Sequence, residues 1–423
     1  MSFRIIEHTL RCQHTRDRPA GAERGRENDL KLHVKQYIPH DISDPSPGDV
    51  TIIGAQANAF PKEVYEPFWE DLYAALRSRG RGVRGIWIAD VVTQGQSGVI
   101  NETLLGPDAS WYDHGRDLLF LINQFQDEMP KPIFGVGHSM GASHLVHLAL
   151  LHPRLLDGVV LIEAIIQNDL APHRTFARLS TTRRDLWPSR QDAAEKFRAS
   201  KYYRSWDPRM LEKFIEYGLR DLPTEQYPFL PARCKPDDPP PVTLTTTVAQ
   251  EVYLYIGAYY PDDRLLQDEN FLQEIHPEDQ DGEVMARPAG QQMHRRLPEL
   301  KPSVLYVFGA KSDASPLEYR EDKLARTGTG VGGSGGKEAG KVRGVVLECG
   351  HLAVMEMPGE CARASAGFIA DEVGKWEVRE RKHDEVWKRL SRRERVGVND
   401  LWKLHVGAAG IGNLTSAPKG TKL

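Results

Sequence analysis

A serine flanked by small residues is the first candidate for chemistry in this chain. The pentapeptide at residues 137–141, GHSMG, matches G-x-S-x-G, a pattern that places a serine on a sharp turn between a strand and a helix. Glycines on both sides are required because larger side chains would collide across the turn. An apolar run at 133–136 precedes the serine, and apolar residues at helical spacing follow it at 142–151. This order favours Ser139 as a nucleophile over a helix-capping serine.

A serine nucleophile needs a base and an acid elsewhere in the chain. An imidazole must accept the hydroxyl proton, and a carboxylate must hold that imidazole in the correct tautomer. His351 is the predicted base because it follows the last apolar strand, in the stretch LECGHL. Two acids also follow strands, Glu163 after the strand next to the serine helix and Asp313 after the following one. Position along the chain favours Asp313, and both acids stay open on this reasoning.

The negative charge of a tetrahedral intermediate needs two backbone N–H donors. Met140, directly after the serine, is predicted to supply one. The other is expected from the loop GAQANAFPKE at residues 54–63, where Asn58 and Ala57 are the candidate donors.

These residues require a sheet that presents them along one edge. Apolar runs predict strands at 3–10, 30–37, 50–54, 83–89, 133–136, 158–162, 303–308 and 342–347, and amphipathic segments predict helices between them. The alternation predicts an α/β fold with a mainly parallel, doubly wound sheet. We therefore expect a core at 1–166 and 303–375, a large, mostly helical cap at 167–302, and a helical extension and tail at 376–423.

Two segments within this plan carry chemistry-like patterns that we interpret as structural. The cap aromatics Tyr202, Tyr203 and Trp206 are predicted to be core rather than substrate contacts. The stretch at 327–341, TGTGVGGSGGKEAGK, has glycines spaced as in dinucleotide-binding loops, but no strand leads into it and no βαβ unit follows. It is predicted to be a mobile surface loop.

Composition excludes several other classes of function. A net charge of −4 over 423 residues leaves no electrostatic footprint for nucleic acid. No apolar run reaches the ~18 residues of a membrane span, and the N-terminus meets charge too early for a secretory signal. The cysteines show no metal-binding spacing and indicate a reduced compartment, with no metal or cofactor expected. These cysteines are Cys12, Cys234, Cys349 and Cys361.

Longer stretches of the chain resemble a known family. Among them are NAFPKEVYEPFWEDL, WYDHGRDLL, GVGHSMGASH, GHLAVMEMPG and the cap segment WPSRQDAAEKFRASKYYRSWDPRMLEKFIEYGLR. Together they resemble fungal α/β-hydrolases of the toxin-biosynthesis type, whose members include peroxisomal acyl-CoA hydrolases. The resemblance implies the α/β-hydrolase fold and an aspartate acid after the strand that follows the nucleophile helix. That position holds Glu163 here, so the resemblance favours Glu163 over Asp313.

The expected function is hydrolysis of an acyl thioester such as an acyl-CoA, or of an ester, through an acyl-enzyme, with a secondary-metabolite intermediate as the substrate. A carboxylesterase, a lipase-like enzyme or an acyltransferase would use the same residues, and a non-catalytic binding protein is the remaining alternative. The tripeptide Thr421-Lys422-Leu423 differs by one residue from the peroxisomal address S-K-L, which predicts an import receptor as a partner, with the cytoplasm as the alternative location. The helical extension is expected to dock on the body or on a second copy, as in a homodimer.

Overall fold

The computed structural model describes residues 2–41, 45–169, 171–230, 239–257 and 287–407, so the C-terminal Thr421-Lys422-Leu423 lies outside the described residues. The chain divides into two compact units, residues 1–373 and 374–423. The described strands all belong to the first unit.

The first unit is built around an eight-stranded sheet in the order β1-β2-β4-β3-β5-β6-β10-β11. The strands are β1 (Phe3–Arg11), β2 (Lys31–Pro39), β3 (Val50–Ala55), β4 (Val83–Ala89), β5 (Ile133–His138), β6 (Gly158–Ile162), β7 (Leu186–Trp187), β8 (Leu219–Asp221), β9 (Val242–Leu244), β10 (Ser303–Gly309) and β11 (Val342–Leu347). Strand β2 runs antiparallel to both of its neighbours, and the pairs from β4 to β11 are parallel. This topology confirms the predicted mainly parallel sheet.

Helices cover both faces of the large sheet. In chain order, the helices of the described residues are α1 (Glu66–Arg77), α2 (Gly95–Ile100), α3 (Trp111–Gln124), α4 (Met140–Leu151), α5 (Ala171–Thr181), α6 (Arg190–Ala199), α7 (Pro208–Tyr217), α8 (Val248–Val252), α9 (Ala289–Arg296), α10 (Leu317–Arg326), α11 (Ala353–Glu356), α12 (Pro358–Arg389), α13 (Arg392–Val396) and α14 (Asp400–His405). Ile52 and Ile53 are both fully buried but belong to separate core clusters, because successive side chains of a strand point to opposite faces. Burial on both faces explains why the central strands are continuously apolar.

The segment between β6 and β10 contains helices α5 to α9 and a small antiparallel sheet in the order β7-β9-β8. The expectation of a mostly helical cap therefore missed these strands, which are two or three residues long and too short to show a clear period in the sequence. Ion pairs join the cap to α1. The guanidinium of Arg209 contacts both carboxylate oxygens of Asp71 at 2.9 and 2.8 Å, and Lys213 Nζ lies 2.8 Å from Glu66.

The glycine-rich loop at 327–341 is tied down along its backbone. The N–H groups of Gly328 and Gly330 donate to the carbonyls of Leu297 and Pro298 at 2.9 and 2.8 Å, and Ser334 N–H donates to Leu300 at 3.0 Å. The loop is thus held against residues 297–300 by hydrogen bonds that the sequence did not reveal, which differs from the predicted mobility.

The described part of the second unit contains the end of α12 followed by α13 and α14. Several of its apolar side chains are exposed, namely Val378, Val386, Trp387, Val396, Val398, Leu401, Trp402 and Leu404. The expected docking of this extension stays a prediction. No helix in the described part of the chain is both long and apolar enough to span a bilayer.

Candidate active site

The turn between β5 and α4 places Ser139 at the carboxyl edge of the sheet. Ser139 has φ 56° and ψ −117°, a conformation that is strained for a residue with a side chain. Its N–H donates to the carbonyl of Ile162 at 2.8 Å, which extends the β5–β6 ladder by one residue. A Cβ on Gly137 would lie 2.7 Å from the Gly141 carbonyl, and one on Gly141 would lie 2.2 Å from the Ala55 carbonyl. Both glycines are therefore required by the close approach of strand and helix.

Ser139, His351 and Glu163 meet at this edge. Ser139 Oγ lies 2.9 Å from His351 Nε2, and His351 Nδ1 lies 3.0 Å from Glu163 Oε2. His351 follows β11 and Glu163 follows β6, so three different strand ends bring these side chains together. The arrangement has the hydroxyl–imidazole–carboxylate order that activates a serine.

The carboxylate of Glu163 is fully buried and held by three donors. Glu163 Oε1 accepts from the Gly309 N–H at 2.6 Å, and Oε2 accepts from the Ser312 hydroxyl at 2.5 Å in addition to His351. Burial alone would raise the pKa of Glu163, but the hydrogen bonds from His351, Ser312 and Gly309 hold that pKa below its usual value. Glu163 therefore remains a carboxylate next to the imidazole.

The alternative acid, Asp313, lies on the loop after β10 but does not reach the imidazole. Asp313 is exposed, and among the described residues no hydrogen bond joins it to His351. Its neighbour Ser312 is buried and donates to Glu163 instead. The last residue of β10 and the loop after it thus donate the Gly309 N–H and the Ser312 hydroxyl to the carboxylate of Glu163.

The backbone N–H groups of Ala57 and Asn58, the two candidate oxyanion donors in the loop after β3, differ in their hydrogen bonding. The Ala57 N–H donates to the Tyr65 hydroxyl at 2.8 Å, so it is already occupied. Within the described part of the chain, no acceptor is bonded to the backbone N–H of Asn58 or of Met140. The Asn58 side chain is fixed by donation from its Nδ2 to the Glu251 carbonyl at 3.0 Å and by Gln94, whose side-chain amide donates to its Oδ1. Asn58 is therefore the better placed of the two loop candidates.

Tyr65 and His138 form a hydrogen-bonded chain that sequence reasoning missed. Tyr65 Oη lies 2.9 Å from His138 Nδ1, and His138 Nε2 lies 3.0 Å from the His351 carbonyl. A carbonyl only accepts, so Nε2 carries the proton and Nδ1 accepts from the Tyr65 hydroxyl. Burial, and then the proximity of His351, lowers the pKa of His138 to about 3, which keeps it neutral. The position of His138 next to the serine was a signal in the sequence, but Tyr65 offered none.

Buried ion pairs hold the loop after β3 in place. Lys62 Nζ lies 2.6 Å from Asp90 Oδ2, and the Lys62 N–H donates to Asp90 Oδ1 at 3.1 Å. Lys62 also pairs with Glu63 at 2.9 Å, and Lys35 reaches Glu63 at 3.3 Å. All four side chains are buried, so each charge depends on its partners, and breaking one pair would leave an uncompensated charge in the interior.

A cavity of about 630 Å³ opens above Ser139 and is roofed by the cap. Its lining includes Asn58, Ser139 and His351 from the body and seven aromatic residues from the cap: Phe176, Trp187, Phe197, Tyr202, Tyr203, Phe214 and Tyr255. The Phe176 ring stacks on the His351 imidazole with a centroid separation of 5.4 Å and an interplanar angle of 25°. The cap thereby covers one face of the imidazole.

The cap aromatics differ in part from the sequence interpretation. Tyr202 and Tyr203 line the cavity, whereas Trp206 is buried and packs against Phe60 at a centroid separation of 5.6 Å. The interpretation as core was therefore wrong for Tyr202, which is exposed, whereas Tyr203 both packs against the core and lines the cavity. The reason is geometric, because the short helical turn at Tyr203–Ser205 directs neighbouring side chains in different directions.

The described residues contain no cluster of His, Cys, Asp and Glu arranged to hold a metal ion. Cys12, Cys349 and Cys361 are buried and free, whereas Cys234 lies outside the described residues.

Comparisons with known proteins agree with this fold. The model of the alpha/beta hydrolase family matches residues 59–364. The type I acyl-CoA thioesterase mpaH of Penicillium roqueforti (strain FM164) is 34% identical over 402 residues, covering 90% of this chain and 91% of that protein. The type I acyl-CoA thioesterase mpaH' of Penicillium brevicompactum is 35% identical over 409 residues, covering 91% of each. The solved structure of the peroxisomal alpha-beta-hydrolase Lpx1 from Saccharomyces cerevisiae has a TM-score of 0.66 at 15% identity, covering 94% of this chain and 99% of that one. This chain belongs to the alpha/beta hydrolase family.

Proposed function

We propose that this protein cleaves acyl thioesters with Ser139 as the nucleophile, His351 as the general base and acid, and Glu163 as the carboxylate that orients His351. The observation that carries the proposal is the hydrogen-bonded chain from Ser139 Oγ through both nitrogens of His351 to Glu163, with separations of 2.9 and 3.0 Å. The ionised state of Glu163 supports its role, because it stabilises the imidazolium that forms when His351 takes the serine proton.

The reaction follows from these positions. Ser139 Oγ attacks the thioester carbonyl while His351 Nε2 accepts its proton, and the backbone N–H groups of Met140 and Asn58 stabilise the oxyanion. Collapse of the intermediate breaks the C–S bond, and His351 returns the proton to the departing thiolate. Water then attacks the acyl-enzyme with His351 again as base, which releases a carboxylic acid and restores the Ser139 hydroxyl.

Two different observations support the two parts of the proposed substrate, its CoA leaving group and its acyl group. Relatives named type I acyl-CoA thioesterases share about a third of the residues over nine tenths of the chain, which supports CoA as the leaving group. A cavity of about 630 Å³ with aromatic walls suits a bulky or aromatic acyl group, as found in secondary-metabolite intermediates. A carboxylesterase or an acyltransferase would use the same three residues and differs in the leaving group or the acceptor.

The test compares acyl-CoAs with simple esters of the same acids while released thiol or acid is followed. We expect acyl-CoA hydrolysis, and Ser139→Ala should lose at least roughly 10³-fold in kcat because the three residues act as a unit. Ser143→Ala is the matched control, since this buried serine lies on the same helix and donates to the Ile165 carbonyl at 2.9 Å. A fluorophosphonate should label Ser139. Labelling of a different serine, or hydrolysis of esters alone, would contradict the proposal.

We further propose import into the peroxisome through Thr421-Lys422-Leu423. Two of these residues match the S-K-L address, which is read by a receptor rather than inserted in a membrane. A fluorescent protein fused in front of the last twelve or so residues should colocalise with a peroxisomal marker. Removal of Leu423 should make the signal diffuse, and diffuse fluorescence from the intact tail would contradict a sufficient import signal.

A further inference from the structure

Two exposed cationic side chains lie in the lining of the cavity above Ser139. Arg184 and Lys196 line the cavity and are exposed, as are its other rim residues Leu179 and Tyr202. Ser139 and His351 are more buried and lie at the inner end. The cavity therefore has a reactive floor and a positively charged rim.

The charges of the cavity lining do not cancel. Arg183 lies deeper and pairs with Glu251 at 2.7 Å, and Glu251 is the acidic member of the lining. Arg184 and Lys196 have no carboxylate within ion-pairing distance in the part of the chain that the structure describes. Because the whole chain carries a net charge of −4, this excess of positive charge is a local feature of the cavity.

Arg184 is also held in a defined position. Its Nε donates to the Leu186 carbonyl at 2.8 Å, and its guanidinium carbon lies 5.7 Å from the centre of the Trp187 ring. These contacts leave the terminal nitrogens of the guanidinium facing no other acceptor among the described residues. A guanidinium fixed in this way presents its donors as a fork, which suits a phosphate better than a flexible ammonium does.

We propose that Arg184 and Lys196 bind the phosphates of the CoA leaving group. The inference rests on the proposed thioesterase function, because a thioester held at Ser139 extends its long pantetheine arm outward and places the polyanionic nucleotide at the cavity mouth. The rim then selects CoA thioesters over simple esters and truncated thioesters. The acyl group occupies the aromatic part of the cavity and makes no use of the rim charges.

The test uses the double variant Arg184→Gln/Lys196→Gln and two thioesters of one acyl group, a CoA thioester and an N-acetylcysteamine thioester that lacks phosphates. We expect the KM for the CoA thioester to rise at least tenfold, while kcat/KM for the N-acetylcysteamine thioester changes less than twofold. The second substrate also reports that the variant is folded and competent. Arg178→Gln/Lys201→Gln is the matched control, because it removes two exposed cations that are next to lining residues in the chain but do not line the cavity themselves.

Binding of the leaving group provides a readout that does not need turnover. In calorimetry, CoA should bind the unaltered protein more tightly than pantetheine does, and the affinity for CoA should fall with added salt and in the rim variant. Equal losses on both thioesters, or unchanged CoA affinity in the rim variant, would overturn the proposal. If the unaltered protein hydrolyses neither thioester, the proposed function fails, and calorimetry with CoA alone still decides whether the rim binds its phosphates.

Discussion

His138 Nε2 donates a hydrogen bond of 3.0 Å to the backbone carbonyl of His351, so the residue before the candidate nucleophile holds the loop that carries the candidate base. The two imidazole rings lie 5.8 Å apart. Tyr65 extends this connection to the loop after β3, because its hydroxyl bonds both His138 Nδ1 and the Ala57 N–H. Tyr65 thereby connects, directly or through His138, the loops that follow β3, β5 and β11.

Replacement of Tyr65 by phenylalanine tests this connection. Tyr65→Phe leaves the Ala57 N–H and His138 Nδ1 without partners, which should cost about 1–3 kcal/mol of unfolding free energy. We expect kcat to fall about tenfold with KM little changed, because small displacements of reacting groups reduce the rate strongly. The readouts are urea denaturation and a separate determination of kcat and KM.

Tyr306→Phe is the control for this variant. Tyr306 is fully buried and its hydroxyl bonds Thr327 Oγ1 at 2.8 Å, away from Ser139. It should lose stability while kcat stays unchanged. If Tyr65→Phe behaved in the same way, Tyr65 would be a structural residue only.

Two isosteric variants, Glu163→Gln and Asp313→Asn, distinguish the two candidate acids by their effect on kcat. Glu163→Gln keeps the shape but removes the negative charge beside His351 Nδ1, so with the proposed role of Glu163 kcat should fall by roughly 10³ to 10⁴. Asp313→Asn should change kcat less than twofold, because Asp313 is exposed and, among the described residues, forms no hydrogen bond or ion pair with the imidazole. Steady-state kinetics of both variants at neutral pH give the answer, and the reverse ranking would move the acid to the loop after β10.

Phe176 tests whether the cap contributes to turnover. Its ring covers one face of the His351 imidazole, so Phe176→Ala should admit water and reduce kcat/KM about tenfold by loosening the imidazole and the acyl site. The exposed Phe229, at 84% exposure, gives a control in the same segment of chain. If Phe176→Ala left kcat/KM and the acyl preference unaltered, the contact of the cap with His351 would not contribute to turnover.

The stability of the protein should fall as the pH falls below about 6.5. His114 is buried, and neither ring nitrogen has a partner among the described residues. Burial, and then the nearby Arg16, lowers the pKa of His114 to about 3. Below about pH 6.5 the unfolded chain binds a proton on His114, whereas the folded chain keeps this histidine neutral. The contribution of His114 to the free energy of unfolding is therefore complete above that pH and declines below it. Burial also lowers the pKa of His147 and His173 to about 4, in the same direction.

His114→Leu isolates one of these groups. Between pH 6.5 and 5 the unaltered protein should lose roughly 1.5 kcal/mol more unfolding free energy than the variant, since one unprotonated histidine accounts for that difference. Asp113, whose pKa burial raises to about 6, acts in the opposite direction but is common to both proteins. His152→Leu is the control because His152 is exposed, and it should leave the pH slope unchanged. Parallel slopes for His114→Leu and the unaltered protein would refute the assignment.

Local sequence was sufficient to predict the elements around Ser139. The strand, the turn and the helix are each specified by residues close in the chain, namely the apolar periodicity on both sides and the glycines whose absent side chains permit the close approach. The mainly parallel sheet followed from the same kind of signal, because strands buried on both faces are continuously apolar. The short strands of the cap carried too few residues for such a signal.

Tertiary structure alone decided which polar groups meet. Glu163 and Asp313 both follow strands at the same edge, and the hydrogen bonds that distinguish them connect residues 146 to 188 positions apart. The contact of Tyr65 with His138 spans 73 positions, and that of His138 with His351 spans 213. A hydrogen bond requires donor and acceptor within about 3 Å, a condition set by how the strand ends and loops pack rather than by residue type. The sequence therefore determined which residues follow which strand, whereas packing determined which carboxylate, hydroxyl and amide reach the imidazole.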